Sequence, residues 1–205
     1  MARGPSISGV VGTGVVVIIV VASILAVLSV PLTGRSLAPL AKLSLRRVWL
    51  VWLSLGLQLP ITLVSVPNWL GQPLHLITLV LAAGFIFSNW RVPGVPLIAV
   101  GAGLNLAAIA ANHGTMPASA GAWRSAGFPM MSGDFANSKV VLNARLSWLG
   151  DIFAIPKGWP LANVFSVGDV IVVLGMGYFA HAWCRRAATE DVRETTQPPA
   201  LVTAD

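Results

Sequence analysis

Residues 48–90, VWLVWLSLGLQLPITLVSVPNWLGQPLHLITLVLAAGFIFSNW, contain no Asp, Glu, Lys or Arg. A soluble domain carries about 25% charged residues; this chain of 205 residues has 10%, against 56% hydrophobic. Its mean hydropathy is +0.80. So long an uncharged run leaves no surface for water, and hydrocarbon is the solvent it suits.

Working outward from that run, five spans are expected in an all-α, polytopic membrane helix bundle. They are about Val10–Val30, Val48–Val66 (interrupted by Gln58 and Pro60), Leu74–Trp90, Val95–Ala111 and Val167–Trp183. A span takes roughly 20 residues at 1.5 Å each, so the third and fourth are short. The first apolar run exceeds a signal-peptide core and lacks a small-residue cleavage site, and so reads as a retained helix. Residues 1–186 then form the bundle, and 187–205, polar with Gln197-Pro198-Pro199, a disordered cytoplasmic tail.

The net charge of +6 has a topological reading. Arg35, Lys42, Arg46, Arg47, Arg91, Arg185, Arg186 and Arg193 fall on one side of the spans. Arg3, Arg124, Lys139, Arg145 and Lys157 fall on the other. The positive-inside bias puts the N-terminus outside and the C-terminus in the cytoplasm. Tryptophans agree, with Trp49, Trp52, Trp90 and Trp183 at the inner interface and Trp69, Trp148 and Trp159 at the outer one. Because the basic residues flank apolar segments, nucleic acid is not an expected partner. The lone Cys184 excludes an intramolecular disulfide and a CxxC site.

Between the last two spans, 112–166 is too long for an idle connection. Leu142, Leu146, Leu149 and Phe153 recur at helical spacing there, which predicts an outer amphipathic helix over Lys139–Ile155, stopped by Pro156. Small residues at Gly103, Ala107 and Ala111, and at Gly175 and Gly177, mark expected helix contacts.

Chemistry concentrates toward the C-terminal end, with all seven acidic residues at or after Asp134. Asp169 opens the fifth span, where a carboxylate at the edge of hydrocarbon needs a partner. Ser166 three residues earlier offers one through an S-x-x-D capping box. Asp151 meets Asp169 if the amphipathic helix returns to the bundle, and two close carboxylates share a proton in a way suited to activating water. The alternative is two unrelated solvated acids. His75 and His113 are expected at the same level, as interfacial imidazoles or ligands. Gln58 and Asn105 lie inside the spans, either bonding across helices or lining a solute path. No spacing implies a metal or other cofactor.

Two resemblances follow from these residues. Asn112-His113-Gly114-Thr115-Met116-Pro117, Leu149-Gly150-Asp151 and Phe165-Ser166-Val167-Gly168-Asp169 together resemble an uncharacterised family of small bacterial multi-pass membrane proteins, which implies a shared fold in the bacterial cytoplasmic membrane. Locally, Asp151 to Asp169 is similar to the lipoprotein signal peptidase pattern. That likeness implies an aspartyl dyad of Asp151 and Asp169, with Asn112 at that family's Asn-x-Gly element. Three functions fit. The first is a non-catalytic accessory subunit or scaffold that binds lipid or another membrane subunit, with Asn112, His113, Ser166, Gln58 and Asn105 as binding candidates. The others are an outer-face hydrolase using Asp151 and Asp169, and a small-solute channel or transporter.

Overall fold

A computed structural model describes residues 7–63, 66–129 and 138–196 of the chain. It is mainly helical. Helix α1 (Ile7–Leu28) leads through a 3-10 turn at Pro31–Thr33 and a short α2 (Ala38–Ala41) to α3 (Trp49–Leu63). Helices α4 (Asn68–Ser88) and α5 (Val95–Ala111) follow, and α7 (Val167–Thr196) closes the chain, with a short α6 (Ala120–Ser125) between them. Helix α5 lies along α7, α3 along α4, and α1 against α7.

Among the described residues two helices are long and apolar enough to cross a membrane: α4, and α7 over Val167–Thr189. The other apolar stretches, Val17–Thr33, Trp49–Ile61 and Val95–Ala111, are shorter. At 1.5 Å per residue α5, with 17 residues, reaches roughly 25 Å, below a hydrocarbon core of about 30 Å. Of the five expected spans, two therefore have membrane-crossing length among the described residues. Helix α7 also runs on to Thr196, so the start of the expected disordered tail is helical; residues 197–205 lie outside the described residues.

Helices α5 and α7 meet where side chains are missing. A Cβ on Gly101 would lie 2.5 Å from Gly168 O, and one on Gly175 would meet the Ile98 side chain at 2.7 Å. Gly177 faces α1 at Ala26, whereas Gly103 faces open space. The close approach does use small residues, but on the face of Gly101 rather than that of Gly103.

The largest departure is the segment expected to be an amphipathic helix. Over 138–155 the chain forms a strand, a 3-10 turn at Ser147–Leu149 and another strand. Strand β1 (Met116–Ala118) pairs in parallel with β2 (Ser138–Val140), while β3 (Phe153–Ile155) and β4 (Asn163–Phe165) form an antiparallel hairpin. The four periodic apolar residues do not share one buried face. Leu149 is buried, but Leu142 is 89% exposed and Leu146 and Phe153 are partly so. Asn143 and Leu146 adopt left-handed backbone, with φ of 54° and 51°, which a helix excludes. Backbone groups here bond across to 117–119 and 163–165 instead, so tertiary pairing overrides a local period.

These strands and α6 form a cap with its own small core of Ala118, Ala122, Trp123, Ala126 and Val164. Ser119 caps α6, its side chain accepting from Ala122 N at 3.1 Å. A second cluster, Ala108, Ile109, Met116 and Leu149, fastens the cap to the helices. The opposite end of the bundle carries Arg46, Arg47, Arg91, Arg185 and Arg186.

Candidate functional site

Asp151 is placed by its neighbour. Gly150 passes so close to Pro117 O that any Cβ there would overlap it. This lets Asp151 bridge in parallel to Ala118, with Asp151 N donating to Pro117 O at 2.9 Å and Ser119 N donating to Asp151 O at 3.0 Å. The side chain is 2% exposed, and Ser138 Oγ donates to its Oδ2 at 2.5 Å. Burial pushes the Asp151 carboxyl up to about 7; the Ser138 hydrogen bond opposes the shift and the Asp169 charge adds to it. Near neutral pH this group is poised between its acid and carboxylate forms.

Asp169 has a different character. Ser166 N donates to Asp169 Oδ2 at 2.8 Å, and Asp169 N donates to Ser166 Oγ at 3.0 Å. That reciprocal pair is the capping box expected from the spacing. Asn105 of α5 completes the ring, its Nδ2 donating to Asp169 Oδ1 at 2.7 Å and its Oδ1 accepting from Ser166 Oγ at 2.8 Å. Both carboxylate oxygens are therefore engaged. Replacing Ser166 by Ala strands Asp169 N and Asn105 Oδ1 together, so a loss of about 2 kcal/mol, at the top of the capping range, is expected in a denaturation experiment in detergent.

A third polar group comes from the α3–α4 pair. Gln58 Oε1 lies 3.0 Å from His75 Nδ1 and 2.8 Å from Thr78 Oγ1. As a carbonyl oxygen it accepts, so the imidazole carries its proton on Nδ1 toward Gln58. His75 and Thr78 are both buried.

These groups converge on one cavity of about 250 Å³. Ser54, Gln58, His75, Thr78, Asn105, Ser138, Asp151 and Asp169 supply its polar lining, and Ile19, Leu55, Leu79, Ala82, Ile109 and Met116 apolar lining. On α4, His75, Thr78, Leu79 and Ala82 follow helical spacing along one face. Ala82 thus lies about 10 Å deeper than His75. Most of the polar groups gather under the cap, while Leu55 and Ala82 lie further in beside Ser54, whose hydroxyl donates to Thr78 O at 2.8 Å.

That segment of chain also decides the kinship. Residues 42–181 match a family model described as a family of unknown function, DUF5317. The chain belongs to that family. The match within DUF5317 takes in the cap and every polar residue of the cavity, leaving only Ile19 of α1 outside. No curated protein and no solved structure matches the chain.

Of the residues singled out from the sequence, Asp151, Asp169, Gln58 and Asn105 line the cavity of this DUF5317 protein, and Ser166 supports it from behind. Asn112 does not reach it. Its Nδ2 donates to Ala108 O and Arg145 O, both at 2.7 Å, and its Oδ1 accepts from Arg145 N at 3.0 Å. It ends α5 and pins the cap. His113 is exposed, with φ of 57° in the turn after α5. Among the described residues no three His, Cys, Asp or Glu side chains gather to hold a metal. Ser138 and Thr78 were not legible as site residues, since isolated hydroxyls carry no spacing signal; only strand pairing brings Ser138 to Asp151.

Proposed function

We propose that this protein is a multi-pass membrane protein that binds a small amphiphile beneath its outer cap, acting as a non-catalytic scaffold or accessory subunit. The observation carrying this reading is one cavity with Asp151, Asp169, His75 and Gln58 at its cap end and Leu55 and Ala82 deeper. An occupant with a hydrogen-bonding head and a short apolar body fits such a lining.

The membrane part draws support from the exterior. Val20, Ile24, Leu25, Leu59, Val80, Val100 and Leu174, on α1, α3, α4, α5 and α7, are each about half exposed or more, as are Trp49, Trp52, Trp69, Trp148 and Trp159. Apolar area on this scale suits lipid. On this reading the five apolar helices all traverse a bacterial cytoplasmic membrane, the shorter ones with local thinning. The N-terminus and cap lie outside, and the C-terminus inside. Ser147 is exposed on the cap. In a Cys184→Ala background, Ser147→Cys is expected to react with a membrane-impermeant maleimide in intact cells, and labelling only after permeabilisation contradicts the orientation.

The ligand reading is tested by native mass spectrometry of the chain extracted from its own membranes in mild detergent. Wild type is expected to retain a non-detergent amphiphile. Ala82→Phe, which fills the cavity floor, is expected to lose it while folding normally. Retention by Ala82→Phe, or a wild type with no added mass, counts against the proposal.

A second reading, an outer-face hydrolase, is favoured by one observation: Asp151 and Asp169 line the same cavity. In it Asp151 and Asp169 hold a water between them, one accepting its proton and the other polarising a carbonyl. Against it, both oxygens of Asp169 already accept hydrogen bonds. Covalent turnover of a bound ligand by wild type, lost in both Asp151→Asn and Asp169→Asn, would favour this reading over the first.

A further inference from the structure

The end of the bundle away from the cap holds a second cavity, of about 310 Å³, between the turn entering α3 and the turn leaving α4. Ser44, Arg46, Trp90 and Arg91 line it. Its frame is built rather than incidental. Asn89, buried at 4% exposure, accepts from Arg46 N at 2.8 Å and donates to Arg46 O at 2.9 Å. One side chain thereby fixes both backbone groups of Arg46. The next residue, Arg47, is held in the left-handed region at φ 55°, a conformation that side chains resist and that surrounding structure must impose.

Charge gives the cavity its chemistry. No Asp or Glu precedes Asp134 in the sequence. Among the described residues the guanidinium groups of Arg46 and Arg91 have neither an acidic nor a hydrogen-bonding partner. Two unpaired guanidiniums on one cavity offer forked donors that match phosphate oxygens. Trp90, 47% exposed and stacked on Phe87 at 6.2 Å between ring centroids, supplies the amphipathic ring typical of the headgroup level.

We propose that this cavity binds the phosphate of an anionic phospholipid headgroup in the leaflet at the basic end, a source that rests on the membrane reading above. Basic pockets between membrane helices recognise such headgroups. The full chain in mild detergent, offered equal amounts of phosphatidylglycerol and phosphatidylcholine, is compared by native mass spectrometry with R46Q/R91Q. Wild type is expected to retain phosphatidylglycerol preferentially, and the double variant to lose that preference on the order of tenfold. The lysine pair R46K/R91K keeps the charge without the fork and is expected to retain part of it. Equal retention of both lipids by wild type, a comparison independent of any variant's folding, overturns the proposal, as does an unchanged preference in R46Q/R91Q. Inorganic phosphate is titrated in parallel by thermal shift. Stabilisation by millimolar phosphate that R46Q/R91Q abolishes, with no lipid preference, overturns the lipid assignment in favour of a free anion. Failure of the membrane reading shows separately, as recovery of the chain in the soluble fraction.

Discussion

Asp151→Asn is expected to abolish most of the pH dependence of stability between about pH 4 and 7 and to stabilise the protein above it. The folded chain holds the Asp151 proton up to about pH 7, whereas an unburied aspartate releases it near 3.8. Throughout that window the folded state binds more protons than the unfolded one. Raising the pH therefore favours unfolding, and stability falls until the folded carboxyl has also ionised. A displacement of about three pH units bounds the loss at about 4 kcal/mol. Asparagine stays neutral, has nearly the same shape and still accepts from Ser138. Thermal denaturation in detergent from pH 5 to 8 should give a falling midpoint for wild type and a flat one for the variant. A wild-type midpoint that rises over this range would show that Asp151 is ionised and paired instead.

Gly168→Ala is expected to cost about 3 kcal/mol, at the upper end of overpacking changes. The added methyl would overlap Asn105 Oδ1 and meet Gly101 O at 2.6 Å, so α5 and α7 must separate. Separation also pulls Asn105 from Asp169, breaking the 2.7 Å hydrogen bond that the crossing permits. Gly103→Ala is the matched control. It meets nothing within 4 Å and should be neutral or stabilising by up to about 1 kcal/mol through helix propensity. Chemical denaturation of both variants in the same detergent measures the difference, and equal effects would place the crossing elsewhere.

The capping box at Ser166 and Asp169 was readable because it is local: three residues of spacing bring side chain and backbone within reach of each other. Apolar runs likewise announced the helices, since a period of hydrophobic residues persists whatever packs against it. The resemblance to an uncharacterised family agrees with the family model match in that respect, a family of unknown function over residues 42–181. Asn112 clamps the Arg145 backbone to the end of α5; an Asn can bond backbone or solute, and nothing local in the sequence distinguishes the two.

The segment 138–155 failed for the opposite reason. Its leucines keep a helical period, but Gly150 and the left-handed Asn143 and Leu146 serve pairings with residues far away along the chain. Strand pairing is non-local, and no window of sequence contains both partners. Composition and periodicity were enough for an apolar, mostly helical chain, because those follow from each residue's own affinity for water and its near neighbours. Which helix faces meet, that Gly101 rather than Gly103 lies at the crossing, and that Ser138, Asp151, His75 and Asn105 border one cavity depended on contacts between segments dozens of residues apart, and these only folding in three dimensions supplies.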